Sequence, residues 1–484
     1  MEVTITTGDV RGQVEKGVAV FRGIPFARPP LGELRFAAPV FPPAWEGVRD
    51  CTAFGPPPPQ QPSPWAPPAA DRAGESWLTV NLWSPDVGAS LPVMVWIYGG
   101  AYRSGESGEP VYDGALLARE GNAVVVTLNY RVGMEGFAQI EGAPANRGLL
   151  DQVAALEWVR DNVAAFGGDP GRVTVFGESA GAGSVAALLA MPRAAGLFGR
   201  AIAQSVPGTY FSAPLAADIA AVLTAELGLR PTVADLADVP PDRLVTLVES
   251  ANAKMPSYEE RWGPVAHTVT PFSPVVDGDV LPRDPWSALA DGAAREVELI
   301  VGHNRDEYRL FTQMERSSAE RADLLLRVFA PGLDYRAAFP EAGPALLGEL
   351  VRSDWLFRMP SLHLADAQVA GGGRVHAYEL TWANPILGAC HALDVPLVFG
   401  NLDGGMGRSL LGDPAPPGAA VVSADFRRRW TAFAAGEGPG WEAYEQGRRL
   451  VRLFDAEPSV VAYPEETSRR LWAAHRFGAL PLLG

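Results

Sequence analysis

Lysine is nearly absent: in a chain of 484 residues it occurs only at Lys16 and Lys254, so almost all of the 40 basic residues are arginine. Acidic residues number 56, and the formal charge is -16. Such a surface repels phosphate backbones and anionic headgroups, which argues against nucleic acid and membrane partners and favours a small neutral ligand. Cysteine is as scarce. Cys51 and Cys390 permit one disulfide at most and no thiolate metal cluster, and two free thiols is the simplest expectation. No apolar run reaches the roughly 18 residues of a membrane span. The opening MEVTITTGDVRGQVEKG lacks the basic and then continuously apolar pattern of a secretory signal, which predicts a cytoplasmic protein. The arginine bias, with 52 Gly and 44 Pro, suggests a GC-rich bacterial source.

What is present is ordinary core material, 47% hydrophobic and 20% charged, which excludes global disorder. Length alone allows about three domains, but α/β folds with insertions often exceed the usual size, and a single domain over 1–484 is expected. LPVMVWIY at 91–98 and AVVVTLNY at 123–130 read as buried strands. Leu149, Val153, Leu156, Val159 and Val163 recur at helical spacing. FGGDPGR then predicts a stop, RVTVF at 172–176 a further strand, and GSVAALLAM a helix. More strands are expected at 199–204, 297–302 and 374–380. This alternation predicts an α/β architecture, a mostly parallel central sheet flanked by helices. Two stretches interrupt it, the Pro-rich segment from Pro56 to Pro68 and a helical, irregular one at roughly 207–290, and both are candidates to border a pocket.

Gly177-Glu178-Ser179-Ala180-Gly181 falls between a predicted strand and a predicted helix, the context in which G-x-S-x-G forms a nucleophile elbow. Ser179 is therefore the candidate nucleophile, and Glu178 beside it reads as structural. Acyl chemistry also needs donors for a developing oxyanion, and Tyr98-Gly99-Gly100-Ala101-Tyr102 follows a strand where they are expected. The N–H groups of Gly100, Ala101 and Ala180 are the candidates; a Gly-Gly pair alone is more often a tight turn, and the elbow gives this one its weight. Among six histidines, His376 falls in a predicted strand and His363 in a helix-like stretch. His391 lies in the Gly-bounded loop GACHALDVP, late in the chain, as the order serine, acid, histidine requires. VELIVGHNRDEYRLF offers Asp306 and Glu307 after a strand, and residue types alone leave the two equal. Tyr102, Tyr210, Phe272 and Phe311 are candidate pocket walls. No metal and no organic cofactor is called for.

FRGIPFARPPLGELRF at 21–36, VMVWIYGGAY at 93–102, VTLNYRVG at 126–133, GLLDQVAALEWVRDNVAAFGGDP at 148–170, VTVFGESAGAGS at 173–184 and GHNRDEYRLF at 302–311 together carry a family resemblance. Over nearly its whole length the chain resembles the type-B carboxylesterase and cholinesterase family, most of all its bacterial p-nitrobenzyl esterase branch. The resemblance implies an α/β-hydrolase fold with cap-forming insertions at approximately 207–290 and 312–372. It also implies serine-dependent hydrolysis of small hydrophobic carboxylic esters through an acyl-enzyme. The family's N-x-D-E-G segment aligns onto Asn304 to Tyr308 and selects Glu307 as the acid, and its G-x-x-H segment matches Gly388 to His391. Further implications are that Ser205 and Asp394 contact the triad and that Arg35–Glu75 and Arg131–Asp151 are buried ion pairs. Three positions depart from the pattern. Ala101 replaces a usual Gly and narrows the oxyanion loop, Tyr308 replaces the Gly after the acid, and Trp77 stands where many members carry a half-cystine. Two alternatives use the same scaffold: acyl transfer, lactonisation or cyclisation with the same triad, and a non-catalytic binding role, against which the intact Ser179, Glu307 and His391 argue.

Overall fold

The computed structural model describes residues 1–63, 74–313, 315 and 317–484, so residues 64–68 of the Pro-rich stretch lie outside the described residues. Among the described residues an eleven-stranded sheet forms the centre. From one edge its strands are Ser459–Ala462, Leu450–Phe454, Val375–Leu380, Glu298–Asn304, Arg200–Gln204, Gly168–Glu178, Leu91–Ile97, Val124–Leu128, Thr79–Ser84, Val18–Pro25 and Gln13–Glu15. From Leu450–Phe454 through Val124–Leu128 neighbours run parallel, and antiparallel strands close both edges. A separate three-stranded sheet, Glu2–Ile5, Gly8–Arg11 and Val48–Asp50, packs beside it.

Leu91–Ile97 and Val124–Leu128 are buried at every position, the pattern of strands covered by helices on both faces, and this makes them readable as unbroken apolar runs. All six expected strands form. FGGDPGR stops the helix as expected, Gly167 closing its last turn at φ 80°, but the strand before the elbow is longer than expected, since Gly168 already pairs with Leu91. Helices Arg147–Asn162 and Ala180–Ala190 stand where the periodicity predicts them. The edge strands carried no clear signal. Gln13–Glu15 and Ser459–Ala462 are short and largely exposed, and Val18–Pro25 is broken by a bulge at Arg22–Gly23.

Within 207–290 the chain forms helices including Ala213–Ala225 and Pro241–Asn252 and a two-stranded pairing of Phe211–Ser212 with Val275–Val276. Within 312–372 lie helices Ala319–Phe329, Pro344–Ser353 and Met359–Ala370, with a π-helical turn at Asp354–Arg358 joining the last two.

One of the implied ion pairs forms and the other does not. The guanidinium of Arg131 meets the Asp151 carboxylate in a fork, Nε to Oδ2 at 2.8 Å and Nη2 to Oδ1 at 2.7 Å, both side chains fully buried. Arg35 instead pairs with Glu135, Nη2 to Oε1 at 2.6 Å, and donates to the carbonyls of Ala237 and Val239. Glu75 is exposed. A desolvated guanidinium takes the carboxylate that is buried with it, and Glu135 sits in the short helix Gly133–Phe137 against Arg35. Asp151→Ala leaves Arg131 buried without its counter-charge; the expected loss is about 3–5 kcal/mol of unfolding free energy, read from urea denaturation. A loss below about 1 kcal/mol would show that Arg131 finds water or another partner.

Candidate active site

The elbow forms because two glycines permit it. Ser179 is held at φ 56°, ψ -124°, a strained conformation between strand Gly168–Glu178 and helix Ala180–Ala190. A Cβ on Gly177 would lie 2.7 Å from the carbonyl of Gly181, and one on Gly181 would lie 2.0 Å from the carbonyl of Ile97. Only bare Cα atoms let the elbow fold this tightly against the neighbouring strand. The Ser179 N–H donates to the Gln204 carbonyl at 2.9 Å, which fastens the turn to the next strand.

Parallel strands deliver the other components to the same edge of the sheet, as open α/β sheets do at their carboxyl ends. His391, in the loop after Val375–Leu380, places Nε2 2.8 Å from Ser179 Oγ and Nδ1 2.6 Å from Glu307 Oε2. Glu307 follows strand Glu298–Asn304 and is fully buried. Its Oε1 accepts from Ser205 Oγ at 2.5 Å and from the Asn304 N–H at 2.8 Å, so both carboxylate oxygens are engaged. The choice between adjacent carboxylates is thereby explained: Asp306 points away from the imidazole and accepts from the Ala389 N–H at 2.8 Å. Asp394 differs from its expectation. It hydrogen-bonds Gln204 and Tyr378 and reaches Asn304 at 3.4 Å, and none of its hydrogen bonds goes to Ser179, His391 or Glu307. It is the first residue of helix Asp394–Phe399 and is buried.

Glu178 is buried beside the imidazole, its Oε1 3.1 Å from His391 Nε2, although the aligned hydrogen bond of Nε2 is the one to Ser179. Burial pushes the Glu178 carboxyl up to about 8, offset in part by His391. For His391, burial favours the neutral ring, but the carboxylates of Glu178 and Glu307 outweigh it and hold the pKa at about 9. Nothing in the local sequence signals this contact, because it depends on a loop more than two hundred residues away.

A cavity of about 490 Å³ opens above Ser179. Gly100, Ala101 and Ala180 line it, and among the described residues none accepts a hydrogen bond from their N–H groups. Tyr102, Phe272 and Phe311 also line it. Tyr210 does not: its hydroxyl donates to the Gly183 carbonyl at 2.6 Å and its ring packs edge-on against Trp286, so it belongs to the core. Pro59, Gln61, Pro62 and Ser63 border the cavity, as do Leu244 and Val248 from helix Pro241–Asn252. One wall was not foreseen. Phe357, on the π-helical turn, stacks on His391 with ring centroids 4.1 Å apart, and Phe311 approaches the same ring at 5.5 Å. SDWLFRMPSLHL reads as plain helix, and the extra residue that turns Phe357 inward leaves no periodic trace. Tyr308 is accommodated beneath Arg352, whose guanidinium lies 4.2 Å from the ring centroid. Both cysteines are free and buried, and among the described residues no cluster of His, Cys, Asp or Glu could hold a metal ion. Among the same residues no helix is long and apolar enough to cross a membrane.

A sheet of this topology, with serine, histidine and glutamate in contact below an apolar cavity, defines an α/β-hydrolase that acts on carboxylic esters. The chain belongs to the carboxylesterase family, which it matches over residues 1–330. It is 38% identical to the para-nitrobenzyl esterase of Bacillus subtilis strain 168, over 97% of each chain. It is 35% identical to the phenmedipham hydrolase of Pseudarthrobacter oxydans, over 88% of each. Among solved structures it superposes on a PNB esterase with TM-score 0.86 at 37% identity, covering 97% of this chain and 99% of that one. A carboxylesterase from Geobacillus stearothermophilus gives TM-score 0.86 at 35% identity with the same coverage.

Proposed function

We propose that Ser179 is the nucleophile of this hydrolase, His391 its general base and acid, and Glu307 the group that fixes the imidazole. The observation that carries this is the unbroken contact from Ser179 Oγ through both imidazole nitrogens to Glu307, at 2.8 and 2.6 Å, on the floor of the cavity. His391 Nε2 takes the hydroxyl proton as Ser179 Oγ bonds to the ester carbonyl carbon. The N–H groups of Gly100, Ala101 and Ala180 receive the resulting oxyanion. Collapse expels the alcohol with the proton from His391, and water then repeats the sequence on the acyl-enzyme. Leu244, Val248, Phe311 and Phe357 suit a small hydrophobic, uncharged ester. The chain works as one α/β-hydrolase domain, with 207–290 and 312–372 as its cap. A fluorophosphonate probe followed by peptide mass spectrometry tests the assignment: the Ser179 peptide alone is expected to carry the adduct, and labelling elsewhere or none overturns it.

The charges around His391 set the pH dependence. A protonated imidazole cannot accept the serine proton, so kcat/KM falls on the acid side as His391 gains its proton. Neighbouring carboxylates favour that protonated form, so removing one lowers the pH at which activity is lost. Glu178→Gln is expected to move the acidic limb of a kcat/KM profile down by about one pH unit. A limb that stays or rises would show that His391 does not feel the Glu178 charge.

Ala101 bears on the alcohol side. It lines the cavity at φ 56°, so Ala101→Gly removes a methyl group without removing the amide donor. Primary-alcohol esters are expected to be hydrolysed as before. For a tertiary-alcohol ester of the same acid, kcat/KM should rise about tenfold, roughly 1.4 kcal/mol of transition-state binding. An equal response of the two esters would place Ala101 away from the alcohol.

A further inference from the structure

Asp306 and Glu307 are consecutive carboxylates that leave the same turn in different directions. Glu307 holds the imidazole of His391; Asp306 meets the backbone that carries it. The Asp306 N–H donates to the Ala389 carbonyl at 2.9 Å, and the Ala389 N–H donates back to Asp306 Oδ2 at 2.8 Å. Two residues on, the His391 N–H donates to the Glu307 carbonyl at 3.1 Å, and Asn304 Nδ2 donates to the Cys390 carbonyl at 2.8 Å. The loop segment 389–391 is thus laced to the acid turn residue by residue.

The far side of the Asp306 carboxylate is anchored. Arg305 Nη2 donates to Oδ2 at 3.0 Å and Arg309 Nη2 to Oδ1 at 3.1 Å. Arg309 in turn reaches Glu349 on helix Pro344–Ser353 at 2.9 Å. The pair lies against the bare Cα of Gly388, at φ 67°: a Cβ there would sit 2.5 Å from Asp306 Oδ2 and 2.4 Å from Arg309 Nη1. Neither Asp306 nor Arg309 lines the cavity. The Asp306 carboxylate reaches the chemistry through the histidine loop, by its bond from the Ala389 N–H.

We propose that Asp306 is a positioning residue that sets the backbone of His391 through Ala389, with Arg309 and Gly388 completing the seat. The proposal rests on His391 being the base. Loss of the seat lets the imidazole drift from Ser179 and Glu307, which costs turnover and leaves substrate binding alone; a displacement of about 1 Å can cost about a hundredfold. An Asn at 306 keeps an oxygen for the Ala389 N–H, and an Ala keeps nothing.

The test is steady-state hydrolysis of a p-nitrophenyl ester by wild type, Asp306→Ala and Asp306→Asn, with sites counted by fluorophosphonate titration so that misfolded molecules drop out. In Asp306→Ala kcat per titrated site is expected to fall about 10- to 100-fold with KM within about twofold. Asp306→Asn should recover kcat to within about fivefold of wild type. Equal kcat per site in wild type and Asp306→Ala, whatever the change in melting temperature, overturns the proposal, as does a loss confined to KM or an Asn variant as slow as the Ala. Should Asp306→Ala yield no titratable sites, the Asn variant decides: kcat more than about tenfold below wild type overturns the seat. Failure of wild type itself to turn over or be labelled at Ser179 would instead sink the assignment of the nucleophile and base.

Discussion

Ser179→Ala is expected to abolish the burst of alcohol release and to lower kcat by about 10⁴-fold or more, while the protein keeps its fold. The side chain lost is one oxygen at a turn whose strain comes from the backbone, held by Gly177, Gly181 and the Ser179 N–H bond to Gln204, none of which the substitution touches. Without Oγ no acyl-enzyme forms, and what remains is the oxyanion hole acting on water, which supplies a small part of the total acceleration. Stopped-flow release of p-nitrophenol from an activated ester distinguishes the outcomes. A retained burst would mean that another side chain is acylated.

The second large effect is that of Glu307→Gln, for which kcat is expected to fall by about three to four orders of magnitude. Glu307 Oε2 accepts from His391 Nδ1, so that in the neutral imidazole an unprotonated Nε2 faces Ser179. A carboxamide can present its NH2 to Nδ1, invert the tautomer and place a proton where the base should have none. Asp306→Asn, one residue earlier, should cost less than about fivefold. Parallel kcat measurements on the two variants settle the order, and reversed losses would mean that the neighbouring carboxylates have been assigned the wrong roles.

What could be read from the residues divides by distance along the chain. The elbow and the oxyanion loop are local: their glycines, their flanking strand and their helix lie within a few residues of Ser179 and Ala101, so their pattern is complete in one window. The seven-residue strand Leu91–Ile97 was equally plain, since burial on both faces demands an unbroken apolar run. Asp306 and Glu307 could not be separated this way, because the difference is which of two adjacent side chains meets His391, a fact of tertiary packing; family resemblance chose between them. Resemblance misled at Arg35, where the buried carboxylate is Glu135 and Glu75 faces solvent. Tyr210 went wrong for a related reason: an aromatic residue near a pocket and one satisfying a buried carbonyl look alike until the Gly183 carbonyl is seen beside it. Phe357 depended on one π-helical turn, and Glu178 on a histidine far ahead in the chain.

The separation of 212 positions in sequence between Ser179 and His391 also sets a schedule. Synthesis proceeds from the amino terminus, so the elbow and the oxyanion loop leave the ribosome long before the loop that activates them. On the proposed mechanism, Ser179 has no base until that loop docks on the acid turn, and a half-made chain traps no acyl groups from the esters around it. Hydrolytic competence thus waits, on that mechanism, until the chain beyond Arg200–Gln204 has brought Glu307 and His391 to Ser179.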